Sequence, residues 1–312
     1  MTIKHYDQAW NVKDDKALPQ PLRWRRPRRI FVNSTSDLFH ESVPDEWIDQ
    51  VFAVMALCPQ HTFMALTKRP ERMRAYMSDP GLRHRIAMAI AMVADLPPED
   101  EFAAQVRCNA MPLPNVWLGT SIEDQATADA RIPHLLATPA AVRFISAEPL
   151  LGPVDLWKWI GVHHHPDNNV QDAAVRAAIN KMIRLAREQM GGGLDLVIVG
   201  GESGPGARPM HEDWPRRLRD QCVAAGVSFF FKQWGEWETA FQIDGLTAIS
   251  AALTGTGHWT HPRRYRVHGG ALDGHCYESL PEQHHILRLG KKAAGRVLDG
   301  RTWDQMPGVR DG

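Results

Sequence analysis

The chain has 312 residues, and its 36 Lys and Arg side chains balance its 36 Asp and Glu side chains, which gives a formal net charge of zero. This balance excludes a global field that would draw the protein to nucleic acid or to an anionic membrane, although local patches can still bind. No apolar run approaches the roughly 18 residues that cross a bilayer, and residues 1–15 lack the apolar core of a signal peptide. We therefore expect a cytoplasmic protein without a membrane partner.

Short apolar runs that end in polar clusters recur along the chain and indicate buried parallel strands. They are Arg29–Ser34, Thr62–Thr67, Val116–Ser121, Val142–Ser146, Leu194–Gly200 and Val227–Lys232. A helical pattern follows most of them, so the predicted fold class is α/β, a partial (β/α) barrel of about six largely parallel strands. The predicted organisation is an irregular lead-in (1–28), the barrel (29–237) and a C-terminal extension packed on it (238–312).

Arginines surround a tryptophan directly before the first predicted strand. They are Arg23, Arg25, Arg26 and Arg28, and the tryptophan is Trp24. Such a segment can hold a phosphate backbone or stack on a base. It can equally be a solvated lead-in whose arginines pair with nearby carboxylates, and the sequence leaves both interpretations open.

Helical periodicity predicts the connecting elements in chain order. The first helix is predicted to begin at Ser42, where the sequence resembles a capping box. Its pattern places on one face the apolar residues Ile48, Val51, Phe52 and Met55. The later helices are predicted at Pro70–Met77, from Leu82 until the pattern turns loop-like before Ala110, at Glu123–Ala137, at Asp172–Met190 and at Asp213–Ala225. Asp213 is predicted to cap the last of these helices, and Gly226 to close it.

Polar side chains gather where the predicted strands end, which is where βα-barrels build their active sites. Asp37 follows the first run, and Lys68 and Arg69 follow the second. Cations that face acidic groups there can hold a carboxylate or a phosphate. Glu148 follows the fourth run; it can position a substrate, act as a general base if burial raises its pKa, or simply pair with Lys68 or Arg69. We take Asp37, Lys68 and Glu148 as the candidates for catalytic roles.

A glycine-rich loop, Gly200-Gly201-Glu202-Ser203-Gly204-Pro205-Gly206, follows the fifth run. Its glycines expose backbone N–H groups and let a ligand approach closely. Glu202 can accept a hydrogen bond from a ribose hydroxyl or an amino group there. The loop is not a dinucleotide-binding fingerprint, because prolines interrupt it. A tight turn with a solvent-facing carboxylate is the alternative interpretation.

The four cysteines, Cys58, Cys108, Cys222 and Cys276, are scattered and lack the spacing of a zinc, redox or cluster site. Cys222 lies at helical spacing with Trp214 and Leu218, which is typical of a buried core thiol. The run His163–His165 and the histidines around Cys276 are weak metal signals. The sequence therefore predicts no metal site.

Long, ordered motifs from Pro21 onward resemble a phage- and prophage-associated protein family of unknown function. They are Arg25–Ser34, Ser36–His40, Leu66–Arg72, Trp117–Ser121, Phe144–Leu150, Gly200–Pro209, Phe231–Gly235 and Gly290–Gly295. That family is similar to a divergent branch of radical S-adenosylmethionine enzymes. The resemblance implies a partial barrel that holds S-adenosylmethionine across its strand ends. It makes Gly200, Gly201, Glu202 and Ser203, together with Ser146, candidates for the cofactor-binding surface.

Members of the family that this chain resembles begin with a three-cysteine motif that ligates a [4Fe–4S] cluster. Thiolates hold such a cluster, and the cluster supplies the electron that cleaves the cofactor. No cysteine precedes Cys58 here, so we expect neither the cluster nor reductive cleavage from this chain. Because the later motifs are intact, we attribute the difference to a start at an internal methionine rather than to loss of the cluster.

The residues and the resemblance together leave three hypotheses. The first is a radical-SAM-like barrel protein without its cluster segment. The second is a non-catalytic, phage-related protein that binds nucleotide or nucleic acid through Arg23–Arg29. The third is a cluster-free enzyme that uses Glu148, Glu202 and Lys68 in acid–base chemistry. The phage setting also allows for a protein partner encoded nearby, and the sequence identifies no substrate.

Overall fold

The computed structural model describes residues 6–12, 16–93, 98–109, 111–160, 193–239, 266–268, 271–273, 286–288 and 290–308. The strands are β1 (Gln8–Trp10), β2 (Arg29–Val32), β3 (Thr62–Thr67), β4 (Val116–Ser121), β5 (Val142–Ala147), β6 (Leu196–Gly200), β7 (Ser228–Gln233), β8 (Trp237–Thr239), β9 (Arg266–His268), β10 (Ala271–Asp273) and β11 (Ile286–Arg288). The helices are α1 (Asp45–Leu57), α2 (Pro70–Met77), α3 (Leu82–Val93), α4 (Pro98–Asn109), α5 (Gln125–Leu136), α6 (Trp157–Ile160), α7 (Asp213–Ala225) and α8 (Lys291–Ala294), with a 3₁₀ turn at Gln20–Arg23. The helix predicted at Asp172–Met190 lies outside the described residues.

Strands β1 to β7 follow one another in chain order across a seven-stranded sheet. Strands β1 to β5 pair in parallel, with Arg29 opposite Thr62 and Ser121 opposite Ser146. Chain-order strands joined by helices have the connectivity of a β/α barrel, whereas a doubly wound sheet reverses its order. The predicted α/β class and partial barrel are therefore confirmed, with seven strands in place of about six. Strands β8 and β11 pair antiparallel, as do β9 and β10.

The chain divides into two compact units. Unit 1 comprises Met1–Ser121, Asp129–Ser146 and Gly192–Leu196, and unit 2 comprises Ile122–Ala128, Ala147–Gly191 and Val197–Gly312. Each of the six predicted strands is present, and its ends lie close to the predicted ones.

In unit 1, strand β1 lies within residues predicted to be an irregular lead-in. Trp10 is fully buried, and its indole Nε1 donates to the carbonyl oxygen of Ala17 over 2.8 Å. Asn33 has left-handed backbone with a φ of 53°; its N–H donates to the Trp10 carbonyl oxygen, and its Oδ1 accepts the Val12 N–H. Because a three-residue strand is too short to show periodicity, the contacts that fix β1 are not apparent in the local sequence.

Helix α1 buries the predicted apolar face in the core of unit 1. Its fully buried residues include Ile48, Val51, Phe52 and Met55. The predicted start at Ser42 is wrong, because the helix begins at Asp45 with Pro44 at the N-cap position and no side-chain cap. The acidic residues of the first turn, Asp45 and Glu46, interact favourably with the positive end of the helix dipole instead.

The prediction of a loop-like stretch before Ala110 is also wrong in part, because this stretch contains helix α4. This helix packs against α1 and α3, and it buries Ala104 and Cys108. Arg107 donates from Nε to the carbonyl oxygen of Ala56 over 2.9 Å. Tertiary packing stabilises a helix whose own apolar pattern is weak, as is common for helices in proteins.

In unit 2, strand β7 carries three successive buried aromatic residues, Phe229–Phe231, each of which contributes about 1.5–3 kcal/mol by burial. Residues near the end of the described chain cover its backbone. The Phe231 N–H donates to the Trp303 carbonyl oxygen over 2.9 Å, and Phe230 forms an antiparallel bridge with Asp304. The Phe229 N–H donates to Oε1 of Gln305 over 3.0 Å. This tail therefore satisfies an edge that would otherwise expose unpaired groups.

Helix α7 of unit 2 ends as predicted, at Gly226, which has a φ of 66°. The left-handed conformation closes the helix because glycine adopts it without steric cost. Its N-cap position is Glu212, one residue before the predicted Asp213. Asp299 of the tail accepts hydrogen bonds from the guanidinium groups of Arg216 and Arg219, so the tail is held to this helix by charge as well.

Candidate functional site

In unit 1, the carboxylate of Asp37 organises the loop that follows β3. Its Oδ1 accepts the Thr67 hydroxyl at 2.7 Å and the Phe39 N–H at 2.9 Å. Its Oδ2 accepts the backbone N–H of Lys68 and a guanidinium N–H of Arg69, both at 3.1 Å. Because both oxygens accept hydrogen bonds in this way, the Asp37 carboxylate is held in one orientation.

The arginines beside Asp37 are committed to ion pairs and carbonyl oxygens. Arg69 also donates from Nε to Glu41 over 2.8 Å, and hydrogen bonding by the backbone and by Arg69 lowers the pKa of Glu41. Arg72 donates to the carbonyl oxygens of His40 and Val43. These contacts tie the segment after β2 to the start of α2. Arg69 is thus a structural cation, while the Lys68 side chain is exposed.

Ser146, predicted to contact a cofactor, lies in β5 directly opposite Ser121 of β4. Both residues are buried, with 6% and 5% exposure. The neighbouring residue Thr120 donates its hydroxyl to the Thr67 carbonyl oxygen over 2.8 Å. The carboxyl ends of β3 to β5 in unit 1 therefore carry a set of hydroxyl groups.

In unit 2, Glu148 lies at the centre of a polar cluster. Its Oε2 accepts the Lys232 ammonium at 2.7 Å, and its Oε1 accepts the Gln233 amide Nε2 at 3.0 Å. The same Nε2 donates to the Ser203 hydroxyl oxygen over 3.0 Å. A Cβ at position 200 would lie 3.1 Å from the Glu148 carboxyl carbon, so Gly200 leaves room for that group. We call Glu148, Ser203, Lys232 and Gln233 the Glu148 cluster.

The Glu148 cluster contains an ion pair that the sequence did not suggest. Pairing with Lys68 or Arg69 was one alternative for Glu148, and within unit 2 Lys232 contacts it. Lys232 and Gln233 were not among the predicted site residues, although their position at the end of β7 follows the same strand-end rule. Their proximity to Glu148 depends on the fold, because 84 residues separate Lys232 from Glu148.

One acceptor of the Glu148 cluster is unsatisfied. Gln233 is 4% exposed, and its Oε1 is a buried atom without a hydrogen-bond partner. The amide NH₂ faces the Glu148 carboxylate and the Ser203 hydroxyl oxygen, and it donates to both. A buried acceptor without a donor costs about 1–3 kcal/mol. A ligand N–H or O–H that reached this oxygen would recover that free energy.

The glycines after β6 allow two loops to approach closely. A Cβ at Gly201 would lie 1.8 Å from the carbonyl oxygen of Trp234. A Cβ at Gly235, where φ is 87°, would lie 2.2 Å from the carbonyl oxygen of Glu202. The Glu236 N–H also donates to that Glu202 oxygen over 3.0 Å. This contact accounts for both glycines before any ligand is considered, whereas the sequence predicted cofactor contact for Gly201.

The Glu202 carboxylate is held by one arginine. Arg208 donates its backbone N–H over 2.7 Å, and its guanidinium binds both carboxylate oxygens at 2.9 Å. The hydrogen bond from Arg208 lowers the pKa of Glu202. The carboxylate is thus ionised and oriented, with a side chain that is 25% exposed. A cofactor role for Glu202 stays a prediction.

The basic segment before β2 is largely solvent-exposed. Its exposed arginines are Arg23, Arg25 and Arg26. Arg28 is half-buried, and its guanidinium lies 5.3 Å from the ring centroid of Trp24. That ring also meets His61 edge-on at 6.2 Å. Arg28 and Trp24 therefore pack on each other, while phosphate contact by the other three arginines stays a prediction.

The thiols of the described residues are not arranged to hold a metal cluster. Cys58, Cys108 and Cys222 are buried, and burial raises the pKa of Cys58 to about 12 and that of Cys108 to about 11. Across the part of the chain that the structure describes, no group of three or more His, Cys, Asp or Glu residues is placed to bind a metal ion. The run His163–His165 and Cys276 lie outside the described residues.

The fold is that of an α/β protein with a partial β/α barrel. In the ranges described above, no helix combines the length and apolarity needed to cross a membrane. Over residues 2–307 the chain matches the family described as "protein of unknown function (DUF5131)", and it belongs to that family. A comparison with curated proteins finds no match.

Proposed function

We propose that this protein is a radical-SAM-like barrel protein that binds S-adenosylmethionine, or a closely related adenosine compound, at the Glu148 cluster. The observation that carries the proposal is the buried, unsatisfied Oε1 of Gln233. The sequence motifs described above, and their resemblance to phage-associated relatives of radical-SAM enzymes, support the choice of ligand.

The chemistry of the cluster fits donors on an adenosine compound. Gln233 Oε1 and the Glu148 carboxylate are acceptors, and they match the hydroxyl groups of a ribose and the amino groups of S-adenosylmethionine. The Ser203 hydroxyl accepts from Gln233, so its own proton can be donated to the ligand. Lys232 orients the Glu148 carboxylate by contact at 2.7 Å. When bound, S-adenosylmethionine would supply carbon centres activated by its sulfonium.

A [4Fe–4S] cluster does not fit the described residues. Cys58, Cys108 and Cys222 are buried thiols, and burial raises the pKa of the first two, whereas cluster ligands must be thiolates. No step of the proposed function therefore passes through a cluster, and what we propose is ligand binding.

Calorimetric titration with S-adenosylmethionine and with S-adenosylhomocysteine tests the proposal. We expect binding of both to the unaltered protein, and a loss of about tenfold in affinity for Glu148→Gln and for Ser203→Ala, since each removes a hydrogen bond with a charged or polar partner. Glu41→Gln is the matched control, because Glu41 is an exposed carboxylate bound to Arg69 in unit 1. Absence of binding, or equal weakening by the control, would contradict the proposal.

Nucleic-acid binding is a second candidate, favoured by the exposure of Arg23, Arg25 and Arg26. Among the described residues, the salt bridges involve none of these three side chains. Fluorescence anisotropy with single- and double-stranded oligonucleotides between about 50 and 200 mM salt measures the effect, because each phosphate contact to duplex contributes a slope of about 0.9. The double variant Arg25→Ala, Arg26→Ala should flatten the slope by about 2, while Arg83→Ala should leave it unchanged. Binding without salt dependence would exclude this candidate.

A further inference from the structure

A row of polar residues crosses the carboxyl ends of three adjacent strands in unit 1. Ser121 of β4 lies opposite Ser146 of β5, and two residues earlier Gly119 lies opposite Phe144. On the other side of β4, Leu66 of β3 lies opposite Gly119. Lys68 is two residues beyond Leu66, at the position level with Ser121. Register thus brings one ammonium and two hydroxyls to the same edge.

The two serines share one face of the sheet. A Cβ at Gly119 would lie 2.6 Å from the ring of Phe144, so positions 119 and 144 point to the same side. Because side chains alternate along a strand, Ser121 and Ser146 also point to that side. Lys68 follows the last residue of β3 directly, and its exposed side chain is long enough to reach this edge of the sheet.

The serine hydroxyls differ from the threonine hydroxyls on the opposite face. Thr67 donates to Asp37, and Thr120 donates to the Thr67 carbonyl oxygen. Within the described ranges of the chain, neither Ser121 nor Ser146 has a side-chain hydrogen bond, and neither hydroxyl is a fully enclosed, unsatisfied atom. Both hydroxyls are therefore free to donate to a ligand at the end of the sheet.

Two cations of unit 1 contact or follow this edge. The Arg131 guanidinium donates from Nη1 to the carbonyl oxygen of Ser121 over 2.9 Å, and Lys68 follows β3 directly. Asp37, in the loop after β2, is paired with Arg69 at 3.1 Å, whereas the carboxylates that follow the two serines along the chain, Glu123 and Glu148, belong to unit 2. The groups that unit 1 itself offers to an anion at the serine row are therefore hydroxyl donors and cations.

We propose that Lys68, Ser121 and Ser146 form a binding subsite for a phosphate group. Adjacent strands lie about 4.8 Å apart, so two hydroxyls on neighbouring strands can each reach an oxygen of one tetrahedral phosphate, and the lysine a third. A planar carboxylate offers only two oxygens and suits the fork of an arginine better. The subsite does not depend on adenosine binding at the Glu148 cluster, because its residues all belong to unit 1.

Titration calorimetry with inorganic phosphate at constant ionic strength tests this subsite. We expect Ser121→Ala and Ser146→Ala each to weaken phosphate binding about tenfold, since hydrogen bonds to charged groups are worth about 1.5–3 kcal/mol, and Lys68→Met to weaken it at least as much. The matched controls are Ser78→Ala and Lys292→Met, which change an exposed hydroxyl and an exposed ammonium elsewhere and should leave phosphate binding as it is.

Acetate serves as the competing probe. Phosphate binding that is unchanged in all three variants, or acetate binding as tight as phosphate binding, would overturn the subsite. The thermal midpoint of each variant separates loss of folding from loss of binding. Should Ser121→Ala not fold, Ser121→Cys keeps the size of the side chain and makes the same prediction, because a thiol is a weak donor.

Discussion

At the scale of single residues, Gly201 and Gly235 are the positions where the backbone leaves least freedom. Each faces a carbonyl oxygen of the other loop, at 1.8 Å and 2.2 Å from where a Cβ would lie. Such distances cannot be relieved by a side-chain rotation, because the contacted atoms belong to the backbone. The two loops that flank the Glu148 cluster can therefore pack this closely only because neither position carries a side chain.

Replacement of Gly201 by alanine is predicted to destabilise the protein by about 2–3 kcal/mol, because the added methyl group must displace the backbone at Trp234. Urea unfolding followed by tryptophan fluorescence measures the change. Gly206→Ala is the matched control, since a Cβ there meets nothing within 4 Å, and it should change the free energy of unfolding by less than about 1 kcal/mol. Equal effects of the two substitutions would contradict the packing argument.

At the scale of elements, the contact between helix α7 and the tail is electrostatic. Asp299 binds both Arg216 and Arg219. Burial raises the pKa of Asp299, but the hydrogen bonds from Arg219 and Arg216 outweigh it, so that the pKa in the folded protein lies below its ordinary value of 3.8. A lowered carboxyl pKa stabilises the fold above the unfolded value, and this stabilisation is lost as the pH falls through the folded value.

Asp299→Asn should therefore lower the thermal midpoint at neutral pH, and the difference from the unaltered protein should shrink as the pH falls from about 5 to about 2. Thermal unfolding across that pH range measures it. The control is Asp100→Asn, which removes an exposed carboxylate in α4 and should change the midpoint little at any of these pH values. A difference that grows with acidity would show that the sign of the pKa shift is wrong.

The structure also shows which elements and site residues could be predicted from the sequence. The strands were predictable because each is a short apolar run that is buried whatever lies beside it, as in Leu196–Gly200. Strand β1 was not, since its three residues depend on the Trp10 and Asn33 contacts. The strand-end rule found Glu148 and Ser203, but the ion pair with Lys232 joins residues 84 positions apart and needed the sheet order.

At the scale of the whole molecule, the buried thiols report on opening of the fold. Cys58, Cys108 and Cys222 are at most 1% exposed. Because burial raises the pKa of Cys58 to about 12 and of Cys108 to about 11, these two thiols are almost wholly protonated in the folded protein at neutral pH. Alkylation requires the thiolate and access to it, so it must wait for unfolding.

Iodoacetamide is therefore predicted to modify these three cysteines only at the rate of unfolding, at neutral and mildly alkaline pH. Peptide mass spectrometry after timed labelling, with and without urea, measures the rate at each site. The urea-unfolded chain is the control, and all three thiols should react rapidly in it. Rapid labelling of Cys58 or Cys108 without urea would contradict their burial.

The tail that covers strand β7 has a consequence for how the protein is made. Residues 303–305 complete the hydrogen bonding of Phe229–Phe231, yet the ribosome adds them about 70 residues after the strand itself, and synthesis proceeds at roughly 5–20 residues per second. For several seconds the nascent chain therefore holds an apolar strand whose outer backbone has no partner from the tail. During that interval β7 is open to chaperone capture and to pairing with a neighbouring chain.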